Sequence, residues 1–109
     1  MKKIIIATIV LLTTACSAQF TKTGDSSFAP LEIGCDFSVY TTNPSKAFDE
    51  VGLVEFSQEP FGYPRRLSSA KEQAAALVCK NGGNGLLVWE SNGFGQYLKA
   101  TIIRFKENN

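Results

Sequence analysis

The chain has no histidine, and only one tryptophan, one methionine, four prolines and three cysteines among its 109 residues. Without histidine it lacks the commonest general base near neutral pH and the commonest metal ligand. An excess of one charge is missing too, since eleven Lys and Arg stand against ten Asp and Glu. A net charge of +1 is too even for a protein that grips phosphate backbones, so nucleic acid is not an expected partner. No apolar run reaches the roughly 20 residues that a bilayer-spanning helix needs. A chain this short closes around a single hydrophobic core, which excludes a multi-domain enzyme. With 44% apolar and 19% charged residues, the composition is that of an ordinary globular domain.

What is present begins at the amino terminus. Met1-Lys2-Lys3 precedes an apolar run over residues 4–12, softened only by Ala7 and Thr8, and Thr13-Thr14-Ala15-Cys16 follows. Residues 1–15 therefore read as a bacterial secretory signal. The small residues before Cys16 resemble the lipobox of bacterial lipoproteins, in which the cysteine becomes the new amino terminus and carries the lipid, palmitate included. Thr13 stands where that motif usually has Leu, and Leu12 lies one residue further back. The alternative is ordinary cleavage after Ala15 or Ala18, which releases a soluble periplasmic protein.

Ser17 after the lipid-bearing cysteine resembles the sorting pattern for the outer membrane, so the expected location is that membrane, facing the periplasm. Loss of residues 1–15 removes Lys2 and Lys3 and leaves nine basic side chains against ten acidic ones. Residues 17–30 are rich in Ser, Thr, Gly and Ala and show no sustained periodicity, so residues 16–30 read as the attachment point and a flexible tether. Such a tether has a span of about 20 Å, enough for the domain to float near its membrane without lying on it.

Residues 31–109 read as one α+β domain. Ile33, Cys35, Phe37 and Val39 alternate with polar residues, the pattern of a strand with one buried face. Asn43-Pro44 opens a connection that has room for one helical turn around residues 46–49, and residues 51–57 return to a strand. Pro60, Gly62 and Pro64 mark a loop. A helix follows, with Ser69-Ala70-Lys71-Glu72 expected to cap its entry. Its apolar stripe is Leu67, Ala70, Ala74, Leu77 and Val78, and Gly82-Gly83 ends it. Residues 86–90 and 96–106 are two further strands joined by a hairpin over residues 91–95. One helix for four strands predicts a two-layer domain in ββαββ order, a largely antiparallel four-stranded sheet with the helix on one face.

The segment Asp36-Phe37-Ser38-Val39-Tyr40, then Pro44, then Phe48-Asp49-Glu50-Val51-Gly52-Leu53-Val54-Glu55 resembles the opening of small bacterial lipoprotein domains related to the Rcs stress sensor RcsF. The run from Ala74 to Val78 with Gly82-Gly83-Asn84-Gly85 looks like their helix and its end, and Lys99-Ala100-Thr101-Ile102 looks like their last strand. Similar architecture occurs in YbjQ-type domains, which carry a heavy-metal-binding label. Gly83 stands where the pattern usually has Ala, and the full cysteine set of the stress sensor is absent. The resemblance implies an envelope protein that works by contact, without transferring the signalling role itself.

Candidate sites are few. With Cys16 committed to lipid, Cys35 and Cys79 form an even pair in an oxidising compartment, where disulfides persist. Cys79 lies on the flank of the helix's buried stripe while Cys35 points inward, so a bridge and two separate buried thiols both remain open. Two cysteines without histidine do not make a closed zinc site, and neither metal nor cofactor is expected. Arg65 and Arg66 stand before the positive end of the helix, where they could meet an anion or form a solvated pair.

The last strand places Leu98, Ala100 and Ile102 on one face, and Tyr97, Lys99, Thr101, Ile103 and Phe105 on the other. With Trp89 and Phe94, the residues Tyr97, Ile103 and Phe105 therefore form an aromatic-rich second face, either covered by the domain's own loops or available to the tether, another subunit or an envelope protein partner. No spacing of acids implies a catalytic dyad, so an enzyme is not expected. The expected function is that of a lipid-anchored envelope protein acting through protein contacts. The competing expectation is a periplasmic module for a small ligand or a metal, with a pocket near Arg65, Arg66 or the two cysteines.

Overall fold

The computed structural model describes residues 18–57 and 62–106. The expectations for residues 1–17, Cys16 among them, lie outside the described residues. Six elements follow in order: β1 (Gln19–Lys22), β2 (Ser38–Tyr40), β3 (Phe48–Glu55), α1 (Leu67–Lys80), β4 (Gly85–Ser91) and β5 (Tyr97–Phe105). The class is α+β, with one helix and a five-stranded mixed sheet in the order β1-β3-β5-β4-β2. β5 runs antiparallel to both β3 and β4, and β1 is antiparallel to β3. β2 pairs in parallel with β4. β3, α1 and β4 thus form a crossover unit that β5 later enters, filling the gap between its two strands.

Several expectations need correction here. The sheet has five strands rather than four, because Gln19–Lys22 form an edge strand within the segment expected to be a flexible tether. Only Phe20 in β1 is apolar and turned toward the core, too little alternation to register as a strand. The segment is nevertheless held: Ala18 is buried in the core, and Thr23 and Gly24 both donate backbone hydrogen bonds to the Val51 carbonyl. Further along, the Leu31 N–H donates to the Cys79 carbonyl at 2.7 Å.

The second correction concerns the strand expected from Ile33. Pairing begins only at Ser38, and Ile33 lies 89% exposed in a turn closed by Cys35 N–H donating to the Glu32 carbonyl. Gly34 takes a positive φ of 91° there, which breaks the alternation. Nor is there a helical turn at residues 46–49, since β3 already begins at Phe48.

The helix starts at Leu67, so Ser69 lies inside its first turn and is not the cap. Arg66 occupies that position in extended conformation without a side-chain cap. Its far end follows the expectation. The Gly83 N–H reaches the Val78 carbonyl at 2.9 Å and the Gly82 N–H reaches Cys79 at 3.1 Å, the paired bonds of a glycine-terminated helix. Gly82 has φ +77°, and a Cβ there would come within 2.6 Å of the Ala29 carbonyl oxygen and of Phe28 Cβ. Gly82→Ala is therefore expected to cost about 1 to 2 kcal/mol or more, read as a lower denaturant midpoint.

Ala70, Ala74 and Val78 are fully buried against the sheet. They meet Phe37, Val54, Phe56, Leu86, Val88, Ala100 and Ile102 in one core. The two alanines leave the helix room to approach the sheet closely. Among the described residues no helix is long and apolar enough to cross a membrane.

Candidate functional site

Cys35 and Cys79 lie at disulfide distance, with their sulfurs 2.06 Å apart and their Cα atoms 5.8 Å apart. The flank position of Cys79 proves compatible with this approach. Cys35 is not on a strand face at all but in the irregular segment before β2, which wraps past the last turn of α1. That segment is also fastened by the bond from Leu31 to the Cys79 carbonyl, and Phe28 and Ala29 lie over Gly82. The Arg104 guanidinium completes the arrangement by donating to the Gly82 carbonyl at 2.9 Å, 5.8 Å from the Phe28 ring centroid.

The sheet face away from α1 carries Trp89 and Phe105, whereas Tyr97, beyond the register shift between Glu90 and Ser91, packs against the main core and leaves the expected contact face. Trp89 is half exposed, at 51%, and sits where the register between β4 and β5 shifts between Val88 and Glu90. Its indole N–H donates to Thr101 Oγ1 at 2.9 Å, and Lys99 Nζ lies 6.0 Å from the ring centroid. The indole is thus fixed from two sides by β5 residues of its own face. Tyr97 and Phe105 are half-buried. The Phe105 ring packs edge-on to Tyr40 at 5.7 Å and to Phe48 at 6.3 Å, with Lys46 Nζ 5.4 Å from its centroid.

Ile103 does not belong to an accessible face. It is fully buried although it lies outside the main core cluster. Its cross-strand partner is Gly85, over which its side chain folds: a Cβ at Gly85 would meet Ile103 Cγ1 at 2.9 Å and Phe105 Cε2 at 3.1 Å. Ile103 is the centre of a second, smaller apolar cluster, and the expected contact face shrinks to the Trp89 end.

That end continues into the hairpin loop of residues 92–96. Asn92 organises it, its Oδ1 accepting from the Phe94 N–H at 2.9 Å and its Nδ2 donating to Gln96 Oε1 at 2.7 Å. Gly93 and Gly95 both take positive φ, which lets the turn close and leaves Phe94 82% exposed at its tip. The glycines flanking Phe94 in the sequence mark the turn that displays this aromatic.

Arg65 and Arg66 are both exposed at the start of α1. Among the described residues the ion pair observed is Lys106 with Asp49 at 3.8 Å, an exposed pair of small energetic weight. Three open clefts formed by described residues have volumes of about 220, 180 and 360 Å³. Neither arginine, nor Cys35, nor Cys79 lines any of these three. The smallest lies between Thr41, Trp89 and Tyr97, where β4 runs on beyond the reach of β2. Among the described residues no group of three or more His, Cys, Asp or Glu is placed to hold a metal ion. Comparison with protein families, with curated proteins and with solved structures found no match to this chain.

Proposed function

We propose that this is a lipid-anchored protein of the bacterial cell envelope that acts through protein contacts around Trp89, without catalysing a reaction. Cysteine usage carries the reading. Cys16 stands at a lipobox-like position, and the two remaining cysteines meet at disulfide distance, so all three thiols have uses suited to an exported, oxidising compartment. The resemblance of residues 36–55 to stress-sensor lipoprotein domains points the same way. For the contact surface, Trp89 offers a large ring already held by Thr101 and Lys99, so little side-chain freedom is lost when a partner covers it.

Wild-type protein is expected in the detergent phase after cloud-point extraction of membranes, with Cys16 as its first residue. Cys16→Ser should move it wholly to the aqueous phase. A wild-type protein found in the periplasmic fraction with its amino terminus at Ser17 or later refutes the anchor. A photoreactive side chain at position 89 should give a discrete protein adduct in intact cells. Copurification of a small molecule or metal, with no such adduct, favours the binding-module reading instead.

A further inference from the structure

We infer that the hairpin end of the domain, with Phe94 at its tip, rests on the surface of the bilayer that holds the lipidated chain. This rests on the reading of Cys16 as the lipid attachment point. It follows from how little chain separates that residue from the fold. Ala18 is already buried and Gln19 already paired with Glu55, so two residues join Cys16 to a fixed position. Two residues reach at most about 7 Å from Cα to Cα, whatever their conformation. The span of about 20 Å expected of a free tether does not exist, because β1 and the segment after it are part of the domain.

The topology then decides which end is held down. Gln19 stands level with Glu55 at the end of β3, and Glu55 stands level with Lys99 near the start of β5. The Phe56 N–H donates to the Leu98 carbonyl at 3.0 Å, and the Tyr97 N–H donates to the Pro64 carbonyl at 2.8 Å. The start of β1, the 92–96 hairpin and the segment bearing Arg65 and Arg66 therefore share one end of the molecule. Cys35, Cys79 and Ile33 lie at the other, where β2 and β4 begin and α1 ends.

What the leashed end displays suits a headgroup layer. Phe94 is the most exposed aromatic described, Leu67 is 36% exposed, and Arg65 and Arg66 are exposed beside them. An aromatic ring and guanidinium groups together match an interface that is apolar below and carries phosphates above. Glu55 is also exposed at this end, so the short leash and Phe94, rather than net charge, carry the placement.

Trp89 is the sole tryptophan of the chain, which makes a clean reporter pair available. In a Trp89→Phe background, Phe94→Trp places the fluorophore at the tip and Ile33→Trp places it at the far end. Each full-length, lipidated variant would be reconstituted into vesicles of phosphatidylethanolamine and phosphatidylglycerol containing a headgroup spin-labelled lipid. The tip reporter should be quenched and shielded from acrylamide by about twofold or more relative to its Cys16→Ser counterpart in solution, while the far-end reporter is unchanged.

A second lipidated variant, with a long Gly/Ser insertion between Ser17 and Ala18, should remain anchored and lose most of that shielding. Vesicle-bound protein whose two reporters are equally accessible overturns the proposal while leaving the anchor intact. Protein that does not cofloat with vesicles overturns the anchor, and the proposal with it. Tip shielding that appears only when a second protein is added assigns this end to a protein partner and overturns the bilayer placement.

Discussion

Ile103→Ala is expected to destabilise the domain by about 2 to 5 kcal/mol, the range for truncating a fully buried aliphatic side chain. Ile103 has no exposed surface and fills the space above Gly85 beside Phe105. Its loss leaves a cavity on the sheet face opposite the helix that the surrounding strands close only in part. Trp89→Ala should cost about 1 kcal/mol, since that side chain is half in water and gives up one hydrogen bond to Thr101. Denaturant midpoints of the two variants read the difference directly. If Ile103→Ala leaves the midpoint near wild type, the second cluster is not a core. If Trp89→Ala unfolds the domain, Trp89 is not a surface for partners.

The second large effect is expected at the cysteine pair. Joining residues separated by 44 positions removes chain entropy from the unfolded state worth about 4 kcal/mol in the loop-closure description. Against the total of about 5 to 15 kcal/mol that holds a typical domain folded, this is a large share. Cys35→Ala with Cys79→Ala should lower the denaturant midpoint accordingly. Hydrogen exchange should rise first at the Leu31 and Gly82 amides, where the segment before β2 crosses the end of the helix. Unreduced wild-type protein, unfolded in denaturant, should take up no alkylating reagent at either cysteine. Uptake at both means that the two thiols are merely neighbours, and the double substitution should then cost little.

Much of the fold was legible because its signals are local. Ala70, Ala74 and Val78 of the expected stripe, the Gly82-Gly83 ending and the alternation along β5 each follow from periods of one helix or one strand, whereas Leu67, expected on the same stripe, is exposed at the helix start and Leu77 is only half-buried. Hairpin residues with glycine on both sides of Phe94 likewise announce a turn without reference to the rest of the chain. Cysteine arithmetic joins Cys35 to Cys79 as a pair, but helical phase alone does not choose between bridge and separate thiols, because alternation places Cys35 on a strand face. Its place in an irregular segment passing the helix end is a tertiary fact.

The sequence by itself determined the α+β class, the positions of α1, β4 and β5, and the export-like amino terminus from which anchoring is proposed. Only the tertiary structure decided that Gln19–Lys22 are a strand, since a polar edge strand derives its order from hydrogen bonds to β3 rather than from any periodicity of its own. It also decided that consecutive Ile102 and Ile103 are both buried, one beneath the helix and one over Gly85. Alternation says that they face opposite ways, and only the partner strand's missing side chain makes room for the second.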